Sequence, residues 1–361
     1  MAHPLCGADL GTLAAVFRAG GAPDRWASAL GVWGAALGRA PLSTLEHLIA
    51  TPSAPRHAEM RPPIFILGHW RSGTTHLYNV MSLGEFGYVP PVATGLPWDM
   101  FGIARALRPL LERQLPETRF IDNIPVTPTS PQEDEIAIAN MSPYSFYHGI
   151  YFPRAFDRLI DRGLFFDGCD QSEIQAWQAR FILFLRRLEK HQGKRLLIKN
   201  PTYTARPAML KQLFPRAKFI HIHRNPFDVF LSMRNFYTKL LAELALQDVP
   251  PEVDIDATIL RVYARMMTTF QAQTAGWDSP DFVELPYDLL DRQPVEALAR
   301  IYNGLELDGF DTARPRFEAY LEGVKTFRKN SFKGDRDAVD LVSRHWAPWI
   351  EKWGYAVPQA A

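Results

Sequence analysis

The sequence is poor in cysteine and in unbalanced charge, and each shortage excludes a class of protein. The two cysteines, Cys6 and Cys169, cannot form a disulfide framework, and no cluster of cysteine and histidine has the spacing of a zinc site. The 40 Lys and Arg against 39 Asp and Glu give a formal net charge of +1, which excludes the broad basic field of a nucleic-acid binder. We therefore expect a protein of the reducing cytoplasm that binds no nucleic acid and builds any anion site from a few placed residues.

The first segment, residues 1–60, lacks the charged start and apolar core of a signal peptide. Its most apolar stretch, residues 26–37, is too short to span a bilayer. Glycines and prolines, Pro41 among them, predict small helices here. Two interpretations of residues 26–37 stay open: helices that pack on the outside of a main domain, the commoner role of such stretches, and a peripheral contact with a membrane surface.

A short apolar run, residues 64–67, ends at Gly68, and helical spacing begins at Thr74. This pattern predicts a strand, a tight loop and a helix whose N-terminus suits a phosphate. Gly68 and Gly73 have the spacing of the P-loop G-x-x-x-x-G-K-[ST], but Thr74 stands at the lysine position and the cation comes earlier, at Arg71. Without that lysine the loop is a poor cradle for a nucleoside triphosphate, although it keeps what is needed to hold one terminal phosphate.

Further apolar runs at 196–199, 219–223 and 282–285 predict three more buried strands. The pattern indicates an α/β fold of the three-layer, P-loop-like kind, with a central parallel sheet, helices on both faces and ligand at the carboxyl ends of the strands. Lys199 ends one strand, where it either serves a ligand or marks the exit of the strand into water. Arg224 follows the next strand, Asn225 and Pro226 suit a helix start, and Ser232 lies about two turns into that helix. An arginine fork and a serine hydroxyl can hold one phosphate.

Three segments of the chain resemble parts of the sulfotransferases that use 3′-phosphoadenosine 5′-phosphosulfate (PAPS). The loop at residues 71–75, Arg-Ser-Gly-Thr-Thr, is similar to the 5′-phosphosulfate loop of the bacterial and carbohydrate branch, and residues 224–232, Arg-Asn-Pro-x-Asp-Val-x-x-Ser, to the 3′-phosphate segment. Arg328 and Lys329 resemble the basic element that completes that segment. Lys199 precedes Arg224 by nearly the family's interval between catalytic lysine and arginine. The resemblance covers roughly residues 62–335.

The resemblance implies in-line transfer of a sulfuryl group from PAPS to an acceptor hydroxyl or amine, with adenosine 3′,5′-bisphosphate as product and no metal. Arg71, Lys199 and the loop N–H groups would stabilise developing charge. The loop threonines would hold the 5′-phosphate, the segment from Arg224 the 3′-phosphate, and His76 would flank the adenine. The donor-binding residues that it implies are Arg71, Ser72, Gly73, Thr74, Thr75, His76, Arg224, Ser232, Arg328 and Lys329.

The general base has to be sought elsewhere, because Pro201 stands where the cytosolic branch of the family has its histidine. The candidates are Glu133 first, then Asp134 and His148. Ser130 and Glu133 also form a capping-box pattern that predicts a helix start, so capping and catalysis stay open as alternatives for the acids. A capped helix N-terminus would lower the pKa of Glu133 and weaken it as a base.

These observations predict a helical extension at residues 1–60 and one α/β domain at 61–361. A proline-rich insertion at about 86–152 would form part of the acceptor side. The aromatic content favours an apolar or amphipathic small molecule or lipid as acceptor. Two rivals are a P-loop kinase, which the missing loop lysine and the lack of an aspartate at the strand ends disfavour, and a nucleotide-binding protein without chemistry, which gives Lys199 no role.

Overall fold

The structure is a computed structural model that describes residues 2–52, 54–102, 127–324 and 336–358. The chain groups into two compact units. The helical unit comprises residues 1–61, 87–196 and 239–253, and the sheet unit comprises residues 62–86, 197–238 and 254–361. The N-terminal segment and residues 87–152 thus fall in the same unit, although they are separated in sequence by the first strand. The partition into residues 1–60 and 61–361 stays a prediction.

Helices make up most of the described chain. In chain order they are α1 (Leu10–Gly20), α2 (Trp26–Ala50), α3 (Thr74–Met81), α4 (Pro91–Gly95), α5 (Glu135–Met141), α6 (Phe146–Tyr151), α7 (Phe156–Phe165), α8 (Gln171–Gln192), α9 (Pro207–Leu213), α10 (Pro226–Leu244), α11 (Ile255–Gln273), α12 (Tyr287–Arg292), α13 (Pro294–Gly304), α14 (Phe310–Val324), α15 (Arg336–His345) and α16 (Ala347–Trp353). Short 3-10 helices lie at Pro4–Gly7, His57–Glu59, Pro153–Ala155 and Pro201–Ala205.

The sheet unit is built on four parallel strands in the order β2-β1-β3-β4. The strands are β1 (Ile64–Leu67), β2 (Leu197–Lys199), β3 (Lys218–His223) and β4 (Phe282–Pro286). All four residues of β1 are fully buried, as expected of a parallel strand covered on both faces. Burying each such side chain contributes about 1.5–3 kcal/mol. The predicted α/β class is confirmed, and each predicted strand lies within one residue of its observed bounds.

The helical unit is held by a buried ion pair as well as by apolar packing. The Arg187 guanidinium of α8 donates to the Glu46 carboxylate of α2 at 2.5 Å and to the Trp98 carbonyl at 2.9 Å. Glu46 also accepts the backbone N–H groups of Phe101 and Gly102. Because a buried charge is costly without partners, removing either member of the pair would leave the other uncompensated.

The prediction that Pro41 ends a helix is wrong, since α2 runs through it to Ala50. Proline removes one helical hydrogen bond, but side chains on both sides of it anchor the helix: Arg39 donates to Asp99, and Glu46 is tied to α8. Tertiary contacts therefore outweigh the local cost. Within the described part of the chain, no helix is long and apolar enough to cross a bilayer.

Candidate functional site

The loop between β1 and α3 has a backbone that only glycine tolerates at two positions. Gly68 has φ 145°, and a Cβ there would lie 2.4 Å from the Ile222 carbonyl oxygen of the neighbouring strand. Gly73 is the N-cap of α3 with φ 93°, and a Cβ there would lie 2.1 Å from a ring carbon of Tyr287. The Gly68 N–H donates to Thr204 Oγ1 at 2.8 Å. The loop therefore packs closely on its surroundings, with the N–H groups of the first turn of α3 at its end.

Arg71 sits at the centre of the loop in a left-handed conformation, with φ 68°. A non-glycine residue pays roughly 1–2 kcal/mol for this, and such strain is concentrated at functional positions. Its Nε donates to Ser232 Oγ at 2.8 Å, joining residues 161 positions apart. Ser232 is almost fully buried on α10. Since a hydroxyl has one proton and two lone pairs, Ser232 can accept from Arg71 and still donate to an anion.

Arg224 follows β3 and turns back onto the same loop. Its Nη1 donates to the Arg71 carbonyl at 3.4 Å, and its Nη2 donates to Asp228 at 3.1 Å. The guanidinium carbon lies 4.9 Å from the ring centre of Tyr287, within range of a cation–π contact. Tyr287 thus touches both Arg224 and the position of Gly73, and it holds the fork of the arginine beside the loop.

Lys199 reaches the other side of the loop from the end of β2. It pairs with Ile66 of β1 in the sheet, is 1% exposed, and its Nζ donates to Thr75 Oγ1 at 3.2 Å. Lysine is almost never buried to this degree without a reason, because the ammonium loses its hydration. Of the two interpretations of Lys199 from sequence, exit of the strand into water is wrong.

The predicted donor-site residues are thus brought together within the sheet unit. Lys199, Arg71 and Arg224 place three cations around the N-terminus of α3, an arrangement suited to an anion with several charged oxygens. Ser72 and Thr74 are buried in the loop, and His76 is half-buried in the first turn of the helix. Arg328 and Lys329 lie outside the described residues.

Three residues at this site have no role assigned to them by the sequence patterns. They are Thr204, which accepts from Gly68; Asp228, which pairs with Arg224; and Tyr287, which lies under the same arginine. Thr204 and Tyr287 are brought to the loop by tertiary packing, which local spacing does not report. Asp228 could have been found, because an arginine and an aspartate four residues apart near a helix start often pair.

The acidic segment belongs to the helical unit, and its predicted capping box does not form. Helix α5 begins at Glu135 rather than near Ser130, whose Oγ instead accepts the Thr127 N–H at 2.8 Å. Glu135 is buried and accepts the Ser145 hydroxyl at 2.6 Å and the Phe146 N–H at 3.0 Å. The structure therefore contradicts the prediction that Glu133 caps a helix. Glu133 is half-buried and Asp134 fully buried.

His148, the third candidate base, is enclosed by main-chain carbonyls of the same unit. Its Nδ1 lies 3.0 Å from the Pro143 oxygen and its Nε2 lies 3.1 Å from the Ala139 oxygen. Burial lowers the pKa of the imidazole to about 4, against the opposing effect of the two carbonyls. Neither nitrogen can take a proton from an acceptor without giving up one of these contacts, which disfavours His148 as the base.

The enclosed imidazole predicts a loss of stability in mild acid. The unfolded chain binds the proton near pH 6.5 and the folded chain only near pH 4, so stability falls as pH drops through this window. Between pH 7 and pH 5 we expect His148 to remove about 2 kcal/mol from the free energy of unfolding. Urea titrations at both pH values measure it. In His148→Asn, whose amide can still meet the Pro143 carbonyl, the acid-induced loss should shrink by that amount; an unchanged loss would contradict the assignment.

Among the described residues, no group of three or more His, Cys, Asp or Glu side chains is arranged to hold a metal ion. The positive charge beside the loop comes from arginine and lysine side chains.

A family model described as "Sulfotransferase family" matches residues 62–312, which include the loop, Lys199, Arg224 and Ser232. Curated relatives from Mycobacterium tuberculosis and Mycobacterium bovis are named omega-hydroxy-beta-dihydromenaquinone-9 sulfotransferase Stf3. Each is 29% identical to this chain over 297 residues, covering 81% of this chain and 75% of the relative.

Two solved structures share the fold at low sequence identity. Sulfotransferase STF9 from Mycobacterium avium superposes with a TM-score of 0.67 at 16% identity, covering 84% of this chain and 78% of that one. Sulfotransferase STF1 from Mycobacterium tuberculosis superposes with a TM-score of 0.60 at 19% identity, covering 86% and 85%. At these identities the likeness concerns the fold alone.

Proposed function

Because the chain belongs to the sulfotransferase family, we propose that it transfers a sulfuryl group from PAPS to a hydroxyl or amine of an apolar or amphipathic acceptor. The observation that supports this best is the position of Lys199, a fully buried lysine whose ammonium contacts Thr75 at the helix end of the phosphate loop. A protein that only bound a nucleotide would gain little from this costly placement. The family to which the chain belongs is one of sulfotransferases, which gives no support to the alternative of a P-loop kinase.

In the proposed reaction the acceptor oxygen or nitrogen forms a bond to sulfur while the bond from sulfur to the 5′-phosphate oxygen breaks. The acceptor proton passes to a protein base, and adenosine 3′,5′-bisphosphate leaves with the bond's electrons on its phosphate oxygen. Lys199, Arg71 and the N–H groups at the start of α3 are the groups that would stabilise that growing negative charge. Because these donors are already fixed by the fold, they need little reorganisation as charge develops.

The second part of the proposal is recognition of the donor through its 3′-phosphate. Arg224 and Ser232 would hold this group, the arginine by its planar fork and the serine by its remaining hydroxyl proton. The hydrogen bond from Arg71 to Ser232 supports the idea, since it couples the loop to the helix that carries the serine. Thr74 and Thr75 would hold the 5′-phosphate at the start of α3.

For the general base we propose Glu133, followed by Asp134. The capping role that competed for Glu133 is absent, because α5 begins two residues later. Glu135, the next acid, is committed to Ser145 and Phe146. A half-buried carboxylate is a suitable acceptor for the proton of a hydroxyl when it is held next to the substrate.

For the acceptor we propose a hydroxyl on an apolar or amphipathic small molecule or lipid. The curated relatives are named for an omega-hydroxylated dihydromenaquinone, a molecule of this kind, and they share 29% of their aligned residues with this chain. For this chain we propose the class of hydroxylated apolar or amphipathic compounds, and not the dihydromenaquinone itself.

Turnover of sulfur-labelled PAPS against a panel of hydroxylated lipids, phenols, amines and sugars tests the proposal. We expect label to move to an apolar hydroxyl compound, with sugars inactive, and no transfer from γ-labelled ATP to any of them. Transfer from ATP would contradict the reaction. Tight PAPS binding without transfer to any acceptor class would favour the non-catalytic alternative.

Sulfuryl transfer by this protein should not depend on a divalent metal. Arg71 and Lys199 supply at the donor the positive charge that magnesium provides in kinases, and a sulfonyl group carries less negative charge than a phosphoryl group. We expect the same turnover number with EDTA as with magnesium. Loss of activity in EDTA that added magnesium restores would contradict this.

A further inference from the structure

The longest described helix, α2, exposes an apolar face along its length of about 37 Å. Seven large apolar side chains of this helix are each more than half exposed: Trp26, Leu30, Leu37, Leu42, Leu45, Leu48 and Ile49. At 100° per residue, Trp26, Leu30, Leu37 and Leu48 fall within about 40° of one line along the helix, and the others widen the face to about 160°. A contiguous exposed patch of this kind usually marks an interaction site.

The opposite face of α2 packs on other parts of the helical unit. The charged side chains of α2 lie on this packed face. Ala29, Val32 and Ala36 are buried. Arg39 is bound to Asp99, and Glu46 to Arg187. The exposed face therefore carries no full charge, and the exposed polar side chain within it is that of Thr44. The Thr44 hydroxyl already donates to the Ala40 carbonyl at 2.7 Å.

An apolar groove opens at the N-terminal end of this face. Its volume is about 360 Å³, and it is lined by Phe17, Gly21, Ala22, Pro23, Trp26, Ala29, Leu30 and Trp33. Indole rings at one end of an apolar helix face are typical of the boundary between hydrocarbon and water.

Arginines border the groove. The Arg154 guanidinium donates to the Ala22 carbonyl at 3.3 Å, and that of Arg158 donates to the Ala19 carbonyl at 2.6 Å. Both side chains are exposed although they are bound to the end of α1. Their positive charge is thus held within a few residues of the groove wall at Gly21 and Ala22.

Two further exposed arginines lie at the same end, Arg18 in the last turn of α1 and Arg25 at the N-cap of α2. The nearest acid by contact is Asp24, whose carboxylate is taken up by Arg154 at 2.7 Å and by the Asp248 N–H at 2.8 Å. Asp24 neutralises Arg154, and Asp157 and Asp248 are further exposed acids nearby, but Arg18, Arg25 and Arg158 form no ion pair among the described residues. The charges of these three arginines at the border of the groove are therefore not taken up by an acid.

We propose that α2 docks the protein onto a bilayer that contains anionic phospholipid. The apolar face would lie among the upper acyl chains, and the arginines would contact headgroup phosphates. Interfaces between soluble proteins form about one hydrogen bond per 100–200 Å² and would need partners that this face does not offer, whereas hydrocarbon needs none. The positive border matches the charge of such a surface. The docking rests on the geometry of α2 and is independent of the proposed reaction.

Co-sedimentation with vesicles of phosphatidylcholine, with and without phosphatidylglycerol, tests the proposal. The wild-type protein should bind the mixed vesicles several-fold more tightly than phosphatidylcholine alone, and high salt should reduce the difference. The double variant Leu30→Glu with Leu37→Glu should lose at least about tenfold in partition coefficient, because two charges enter the apolar layer. The control Val357→Glu adds a charge at an exposed apolar residue of the sheet unit and should bind like wild type.

A second variant separates charge from apolar contact. Arg18→Ala with Arg25→Ala should weaken binding to the mixed vesicles and leave binding to phosphatidylcholine unchanged. Equal binding of the wild type to both vesicle types would overturn the role given to the arginines. Calorimetric affinity for adenosine 3′,5′-bisphosphate should be unchanged in every variant, so that a failure of docking is distinguished from a failure of the nucleotide site.

Two results would overturn the docking itself. One is a wild-type protein that stays in the supernatant with both vesicle types. The other is a wild-type dimer that ignores vesicles and that Leu30→Glu with Leu37→Glu converts to a monomer, since a second copy of the chain would then cover the face.

Discussion

Replacing Lys199 by methionine should lower kcat by about 10²–10³ while the protein stays folded. The ammonium is the charge held at the start of α3 by its contact with Thr75, and removal of one donor aimed at developing negative charge typically costs this much. Methionine has a similar length and suits the buried surroundings, so the melting temperature should change little. Single-turnover kinetics with labelled PAPS measure the chemical step directly.

The matched control is Lys211→Met in the same unit. Lys211 binds Asp281 at 2.5 Å and lies near the rings of Phe219 and Trp277, at the beginning of β3 rather than at the carboxyl edge of the sheet. Its replacement should leave kcat unchanged. A Lys199→Met enzyme with the wild-type chemical rate would remove Lys199 from the mechanism.

Replacing Glu133 by glutamine should reduce kcat by about a hundredfold if the carboxylate is the general base. The amide keeps the size of the side chain, and since Glu133 does not close a capping box, stability should change by less than about 1 kcal/mol. Binding of adenosine 3′,5′-bisphosphate should be unaffected. Steady-state kinetics with calorimetry on the same preparations separate the two effects.

Glu173→Gln is the control for Glu133, because it removes the charge that pairs with Arg162 at 2.6 Å, while a glutamine can still close the capping box of Asp170 at the start of α8. It should alter stability without a change in kcat. A near-normal kcat in Glu133→Gln would eliminate that residue as the base and move the same test to Asp134→Asn. His148 would follow only if both retained activity, given the carbonyls that enclose its ring.

The sheet could be predicted from the sequence because its information is local. Each strand is an apolar run bounded by proline, glycine or a charged residue, and a parallel strand buried on both faces leaves that signature. The placement of Lys199 and Arg224 near one loop also followed, since the carboxyl ends of parallel strands meet at one edge. The observed contacts of these residues with Thr75 and Arg71 agree with this expectation.

The contacts that complete the site could not be predicted in the same way. The hydrogen bond from Arg71 to Ser232 depends on a left-handed residue in the loop and on the direction of a side chain on α10. The ring of Tyr287 reaches Arg224 from the start of α12, after the fourth strand. Such long-range pairs are set by tertiary packing, and no local pattern encodes them.

Two strong local patterns, a capping box and a proline expected to end a helix, gave wrong predictions because tertiary contacts outweighed them. Ser130 and Glu133 have the spacing of a capping box, but Ser130 binds Thr127 in a turn, and the buried Glu135 is held by Ser145. In α2, Pro41 was expected to end a helix, and contacts of Arg39 and Glu46 carry the helix past it. A cap contributes about 1 kcal/mol, which is less than the cost of leaving a buried carboxylate such as Glu135 without its hydrogen bonds.

The central claim is that this site reads a nucleotide through its 3′-phosphate, and calorimetry with adenosine 3′,5′-bisphosphate and AMP tests it most directly. The bisphosphate should bind the wild-type protein at least about a hundredfold more tightly, because two charge-assisted hydrogen bonds are each worth about 1.5–3 kcal/mol. Arg224→Ala should remove most of that difference and leave AMP unaffected. Arg314→Ala, which breaks a similar arginine pair on α14, should change neither affinity. Equal affinities of the wild-type protein for the two nucleotides would contradict the account.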